Sequence, residues 1–228
     1  MGTKQISEKP RLVETEDGLS LVSGDLKLFG DYHKLLPRIK GNKVNSELIV
    51  KAVRIRGLDS VSVFDATAGL GEDSFLLAAA GFDVTLCEYN EEIYSLLLDT
   101  VKRAKEDADL NEAAERMKVV RGNSVDVMKE IYLNSSDASI KVPDVVLLDP
   151  MFPAKTKNSL TNKKLQLFQM LEFPCANEEE LFEAALSIKP KKVVVKRPLR
   201  GPFLADKKPG YSISGKTVRY DCYVLSTE

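Results

Sequence analysis

The sequence predicts an α/β fold, Rossmann-like, with a mostly parallel sheet covered by helices on both faces. Two observations predict it. From about residue 61 onward, short apolar runs alternate with helical segments, the pattern of right-handed β-α-β crossovers. The first of these runs, "VSVFDATAG", passes into a glycine-rich turn and then directly into a helix. In such sheets ligands lie beyond the carboxyl ends of the strands, so residues that finish strands carry the functional information.

Residues 1–43 precede this rhythm. "RLVETEDGLSLVSGDLKLFGDY" alternates apolar and polar residues around Asp17-Gly18 and Gly24-Asp25, which predicts a small β-meander. The basic connector "HKLLPRIKGNK" follows. We therefore divide the chain into a β-rich extension with its connector, 1–43, and a main domain, 44–228. The main domain opens with a helix through "ELIVKAVRIRG", capped by Asn45 or Ser46 and ended by Gly57. "EDSFLLAAAG" is a helix closed by Gly81, "DVTLCEYN" a strand, and "EEIYSLLLDTVKRAKEDADL" a long amphipathic helix. "MKVVRGNS", "DVVLLDP" and "KKVVVKRP" are further strands, separated by helices at "VDVMKEIYLN" and "NEEELFEAALSI". "YSISGKTVRYDCYVLS" ends the chain as an antiparallel pair turning near Gly215.

Composition bounds the function. The chain has 228 residues, 43% of them hydrophobic, enough for a substantial core. The basic and acidic residues, 33 and 34, nearly cancel, so only their distribution bears on nucleic acid. Cys87, Cys175 and Cys222 lack metal-ligand spacing, and a single histidine, His33, makes a His-rich metal centre or a Ser-His-acid triad unattractive. We expect no metal. No signal peptide or membrane-length apolar run is visible, so the expected setting is reducing and cytoplasmic.

The strand ends carry a graded signal. Asp65 closes the first strand of the main domain, and Gly69 and Gly71 form the tight turn before Glu72 and Asp73 open the helix. The spacing departs from G-x-G-x-x-G, because Thr67 replaces the first glycine, and no Gly-Lys-Ser/Thr phosphate loop is present. Glu88 ends the next strand, where a carboxylate can accept hydrogen bonds from both ribose hydroxyls. Asn123 and Ser124 end the third, placed either to meet an adenine edge or to cap the following helix. These features fit a dinucleotide or S-adenosylmethionine equally well.

The corner Asp149-Pro150-Met151-Phe152-Pro153 separates the two. A dehydrogenase has no evident use for it. A base amine is a poor nucleophile because its lone pair is delocalised into the ring; Asp149 and the carbonyl of Pro150 can accept its N–H bonds. Phe152 can stack on the base, a contact worth about 1–3 kcal/mol. Rigid prolines would hold this arrangement before substrate arrives.

"DATAGLGEDSFLLA", "LDPMFPAKTKNSL" with "KKLQLFQ", and "VVVKRP" together resemble the ribosomal RNA small-subunit methyltransferase J family, over a span from about Leu12 to the C-terminus. The resemblance implies a class I S-adenosylmethionine-dependent methyltransferase fold with a seven-stranded sheet. It also implies methylation of N2 of a guanosine near the 3′ end of small-subunit ribosomal RNA. Its cofactor contacts would fall on Glu72, Asp73, Glu88, Tyr89, Asn123, Ser124 and Asp149, and the partner would be the ribosomal RNA or the small subunit itself. Basic residues flank the expected site: Arg38 and Lys40 in the connector, Lys155, Lys157, Lys163 and Lys164 after the corner, and Lys196 and Arg197 at the end of "VVVKRP". Three other readings share parts of this pattern: an adenine or cytosine amino-methyltransferase, a nucleotide-linked oxidoreductase, and a non-catalytic RNA-binding assembly factor.

Overall fold

The computed structural model describes residues 9–58, 60–135, 137, 141–150, 167, 171 and 177–225. Strands β1 (Arg11–Thr15), β2 (Gly18–Ser23) and β3 (Leu26–Leu28) form a three-stranded antiparallel meander. Short helical turns follow, including α1 (Leu36–Ile39), and then α2 (Leu48–Val53). The main domain continues with β4 (Ser62–Asp65), α3 (Glu72–Ala79), β5 (Asp83–Glu88), α4 (Glu91–Glu106), α5 (Asn111–Ala114), β6 (Met117–Arg121) and α6 (Ser124–Leu133). It closes with β7 (Val145–Leu148), α7 (Glu178–Ser187), β8 (Lys192–Pro198), β9 (Tyr211–Ser214) and β10 (Val218–Val224).

The large sheet is seven-stranded, in the order β6-β5-β4-β7-β8-β10-β9. β4 through β8 run parallel, and β10 returns antiparallel between β8 and β9. The chain starts at the centre, works outward to β6, and then crosses back to β7. The carboxyl ends of β4 and β7 therefore flank the switch point, where such sheets open a crevice.

Strand alternation divides the core into two layers. Val63, Leu86, Val145, Leu147 and Val194 face α2 and α3, whereas Phe64, Val146, Leu148, Val193 and Val195 face α6 and α7. The meander packs on α4 through a third cluster containing Leu21, Leu28, Ile93 and Leu96. Gly30 is required there, since a side-chain carbon at that position would collide with the Thr100 side chain. Arg103 closes the contact by donating to the Gly30 carbonyl at 2.8 Å.

One boundary differs from expectation. Neither Asn45 nor Ser46 caps α2: Ser46 donates back to the Lys43 carbonyl at 2.7 Å, and Asn45 accepts from Arg54 at 2.7 Å. The helix also stops at Val53 rather than running to Gly57. The cause is distant in sequence. The buried Lys192 ammonium on β8 donates to the carbonyls of Ala52 and Arg54 at 2.9 and 2.8 Å, satisfying the helix end there.

Candidate active site

The glycine turn after β4 is built from a chain of hydrogen bonds. Asp65 is buried, and its carboxylate accepts from Ser74 Oγ at 2.6 Å and from the Thr67 N–H at 3.1 Å. Thr67 Oγ1 in turn accepts the Asp149 N–H at 2.7 Å, which ties the turn to the end of β7. Thr67 thus has a use that a glycine lacks, joining the two strand ends that bound the crevice. Gly71 takes φ +74° at the entry to α3, and a side chain there would meet the Tyr32 hydroxyl at 2.6 Å. Gly69 takes φ +56°, and the space where its side chain would stand is open.

Burial pushes the Asp65 carboxyl up to about 7, against the opposing donors Ser74 and Thr67. The unfolded-state value is about 3.9. Asp65 therefore binds its proton more tightly in the folded protein, and the stability this contributes is complete below about pH 4 and lost as pH rises through about 7. Asp65→Asn is expected to flatten the stability–pH profile between those values. Urea unfolding of both proteins across pH 4–8 checks this, and parallel profiles would contradict it.

Glu88 is spent largely on backbone. Its Oε1 accepts the N–H groups of Tyr89 and Asn90 at 3.0 and 2.9 Å, and Oε2 accepts that of Gly69 at 3.0 Å. A carboxylate has about four acceptor positions, so roughly one, on Oε2, remains for a ribose hydroxyl. Burial raises its pKa, opposed by those backbone donors. Tyr89 is 45% exposed beside it. Asn123 caps α6, its Oδ1 accepting the Val125 N–H at 2.9 Å, while Ser124 is half-buried at the first helical position.

The acids at the start of α3 have separate partners. Glu72 pairs with Lys34 at 2.9 Å, and Asp73 with Lys196 at 2.6 Å. The Lys196 ammonium also reaches Asp149 Oδ2 at 2.9 Å. Burial lowers the pKa of this lysine, but Asp73 and Asp149 together outweigh that and raise it above the usual lysine range. Burial raises the Asp149 pKa, with Lys196 pulling against it. Asp149 keeps 41% of its side-chain exposure, so it stands at the crevice floor within reach of a ligand. Pro150 follows it, half-buried.

The basic cluster is not the surface expected of it. Arg197 is a correction: it is 1% exposed, donates to the Pro202 carbonyl at 2.9 Å and pairs with Glu178 at 3.5 Å. Alternation explains this, since Val193, Val195 and Arg197 share the buried face opposite Lys196. Lys196 lies at the crevice, with its ammonium committed to two carboxylates rather than presented to a phosphate. Lys192 and Arg219 are also buried, and Lys191 pairs with Asp144 at 2.7 Å. Arg38 is exposed but clamped by Glu47 at 2.7 Å, and Lys40 is exposed. Phe152, Lys155, Lys157, Lys163 and Lys164 lie outside the described residues. Among the described residues no group of acids, histidines and cysteines is arranged to hold a metal, and no helix is long and apolar enough to cross a membrane.

Ser74 and Tyr32 support the turn without any motif that marks them, and Thr67 stands out in the sequence only as a departure from the glycine pattern. Tyr32 stacks on Phe75 with ring centres 4.5 Å apart and donates to the Leu70 carbonyl inside the glycine turn at 3.0 Å. The hydroxyls of Thr67 and Ser74 around a strand-end acid were the available signal; nothing local marked Tyr32.

This sheet order and crevice belong to the class I S-adenosylmethionine-dependent methyltransferases. A family described as putative SAM-dependent methyltransferase matches residues 4–225, and a solved SAM-dependent methyltransferase from Neisseria gonorrhoeae superimposes with a TM-score of 0.75. That structure is 31% identical, and the match covers 98% of this chain and 86% of the other. Among curated proteins, ribosomal RNA small subunit methyltransferase J of Thioalkalivibrio sulfidiphilus is 42% identical over 181 residues, 79% of this chain and 69% of the relative. The protein of the same name from Pseudomonas aeruginosa is 42% identical over 78% of this chain and 66% of its own length. The chain thus spans about two thirds of these curated relatives. It belongs to the ribosomal RNA small subunit methyltransferase J family. The cofactor of this class is S-adenosylmethionine, and the open approach to Gly69, with its N–H already oriented by Glu88, fits a nucleoside lying against the turn.

Proposed function

We propose that this chain methylates an exocyclic amine of small-subunit ribosomal RNA, N2 of a guanosine near the 3′ end. The observation that carries the reading is Asp149, an acceptor at the carboxyl end of β7, fastened through Thr67 to the glycine turn. S-adenosylmethionine supplies an electrophilic methyl group on a sulfonium. Glu88 and the Gly69 turn would hold its nucleoside, with Asp65 supporting the turn from behind. Asp73, Tyr89, Asn123 and Ser124 line the same carboxyl edge, and Glu72 stands at its rim. Asp149 and the Pro150 carbonyl would accept the amine N–H bonds and favour a more tetrahedral nitrogen, while Phe152 would hold the base ring once it is turned out of its stack.

Arg38 and Lys40 are proposed to meet phosphates beside this edge, and Arg38 stands within electrostatic reach of Asp73 and Tyr220. Lys155, Lys157, Lys163 and Lys164 are proposed to continue that path. Lys40→Ala is expected to weaken RNA binding uniformly and reduce the slope of log affinity against log salt by about one; an unchanged slope places the backbone elsewhere.

The reading is tested by labelled methyl transfer from S-adenosylmethionine to undermethylated small subunits, naked ribosomal RNA and DNA, with identification of the modified nucleoside. N2-methylguanosine from either RNA substrate is the expected product. A methylated adenine or cytosine would replace the guanine reading with another amino-methyltransferase, and labelling of DNA alone would end the RNA reading.

A further inference from the structure

The proposed chemistry uses Asp149 but leaves Lys196 without a task. Lys196 follows three buried valines near the end of β8, and its side chain is only 24% exposed. Its ammonium bridges Asp73 on α3, at 2.6 Å, and Asp149 after β7, at 2.9 Å. A lone lysine head costs several kcal/mol to desolvate and would normally extend to water. Two carboxylates placed this close, with the buried Asp65 behind them, also repel one another. Each arrangement is unfavourable alone, and the bridge relieves both.

We infer that Lys196 is a positioning residue for the transfer reaction: shared with Asp73, it holds the Asp149 carboxylate ionised and turned as an acceptor toward the incoming amine. The inference rests on the reading of Asp149 as that acceptor. The geometry separates Lys196 from a phosphate ligand, because a cation that meets RNA needs its head exposed and Lys196 has turned its head inward.

Among the described residues, several elements contribute groups that face this bridge. They are Asp73 from α3, Asp65 from β4, Tyr220 from β10 (paired in register with Lys196) and Arg38 from α1, with Arg197 next along β8 on the opposite face. Tyr220 is buried and stays neutral through the range of interest, burial being the first cause of its raised pKa. Asp65 titrates near 7 without a contribution from Lys196, so the acid limb that moves when Lys196 is changed is the one Asp149 sets. Activity needs it ionised and falls as pH drops through its pKa. Removing the adjacent cation raises that pKa further, so the limb should move to higher pH.

The test is the pH profile of kcat/KM for methyl transfer by the full chain, with S-adenosylmethionine and small-subunit RNA. Lys196→Met is expected to move the acid limb upward by about 1–3 pH units, the range that one adjacent opposite charge produces. Activity lost near neutrality should return at higher pH. Lys196→Arg should bring the limb most of the way back, and the salt slope of RNA binding should match the parent in both variants. A limb that stays in place in Lys196→Met overturns the inference, and a salt slope reduced by about one would instead make Lys196 a phosphate contact. If Lys196→Met does not fold, Asp73→Asn carries the test in the opposite direction. It removes the competing carboxylate and should lower the limb, and an unmoved or raised limb overturns the inference there too. Near-parental activity of Asp149→Ala would instead remove the underlying reading, whatever Lys196 does.

Discussion

Asp149→Ala is expected to lower methyl transfer by about a hundred- to a thousandfold, the usual cost of removing one oriented polar group from a reacting centre. The fold should tolerate the change. Asp149 is partly exposed, its backbone N–H still reaches Thr67, and Lys196 keeps Asp73 as a partner. Binding of S-adenosylmethionine, which the other contacts still hold, should therefore weaken far less in the variant than turnover falls, a loss chiefly in kcat. Asp149→Asn keeps a carbonyl acceptor without the charge and should fall between the two. Calorimetry with S-adenosylmethionine and a single-turnover methylation assay check the pair. Turnover within tenfold of the parent would remove Asp149 from the chemistry.

The largest stability effect is expected at Arg219, a residue with no part in the proposed chemistry. This guanidinium is 8% exposed on β10 and pairs with the fully buried Asp221 through Nε and Nη2 at 2.9 and 3.0 Å. Its Nη1 donates to the carbonyls of Pro198, Leu199 and Gly201 at 3.1, 2.9 and 2.9 Å, and Phe203 lies over it, ring centre 4.9 Å away. One side chain thus organises the turn that leaves β8. Arg219→Met would leave the buried Asp221 carboxylate without its cation, a loss of about 3–5 kcal/mol for breaking a buried pair from one side. The double variant Arg219→Met with Asp221→Leu should recover part of it, because no uncompensated charge is left. Urea unfolding checks both, and a single-variant loss under about 1 kcal/mol would contradict the assignment.

These two residues mark what could and could not be read in the linear chain. Asp149 was legible because a run of four apolar residues, Val145–Leu148, stops at an acid and a proline, and the crossover rule says where such strand ends go. The same logic located the Gly69 turn and Glu88. Arg219 carries no such local mark. What a charge touches depends on register: Arg219 opposes Arg197 across the β8–β10 ladder, and Lys192 meets a helix end whose carbonyls lie 140 and 138 residues away. Neither pairing leaves a local trace. The early end of α2 was hidden for the same reason, and so was the division of labour between Lys196 and Arg197, which one step along a strand sends to opposite faces.

The Tyr32 hydroxyl has an implication for how this chain can be divided. It belongs by sequence to the β-rich extension before the main domain, yet its ring covers Phe75 and its proton satisfies the carbonyl of Leu70 in the glycine turn. Trimming the chain at residue 43 would uncover an aromatic ring and orphan a carbonyl at the place where a nucleoside would rest. The smallest unit that can carry this turn therefore begins upstream of Tyr32, inside the segment that the sequence sets apart from the main domain.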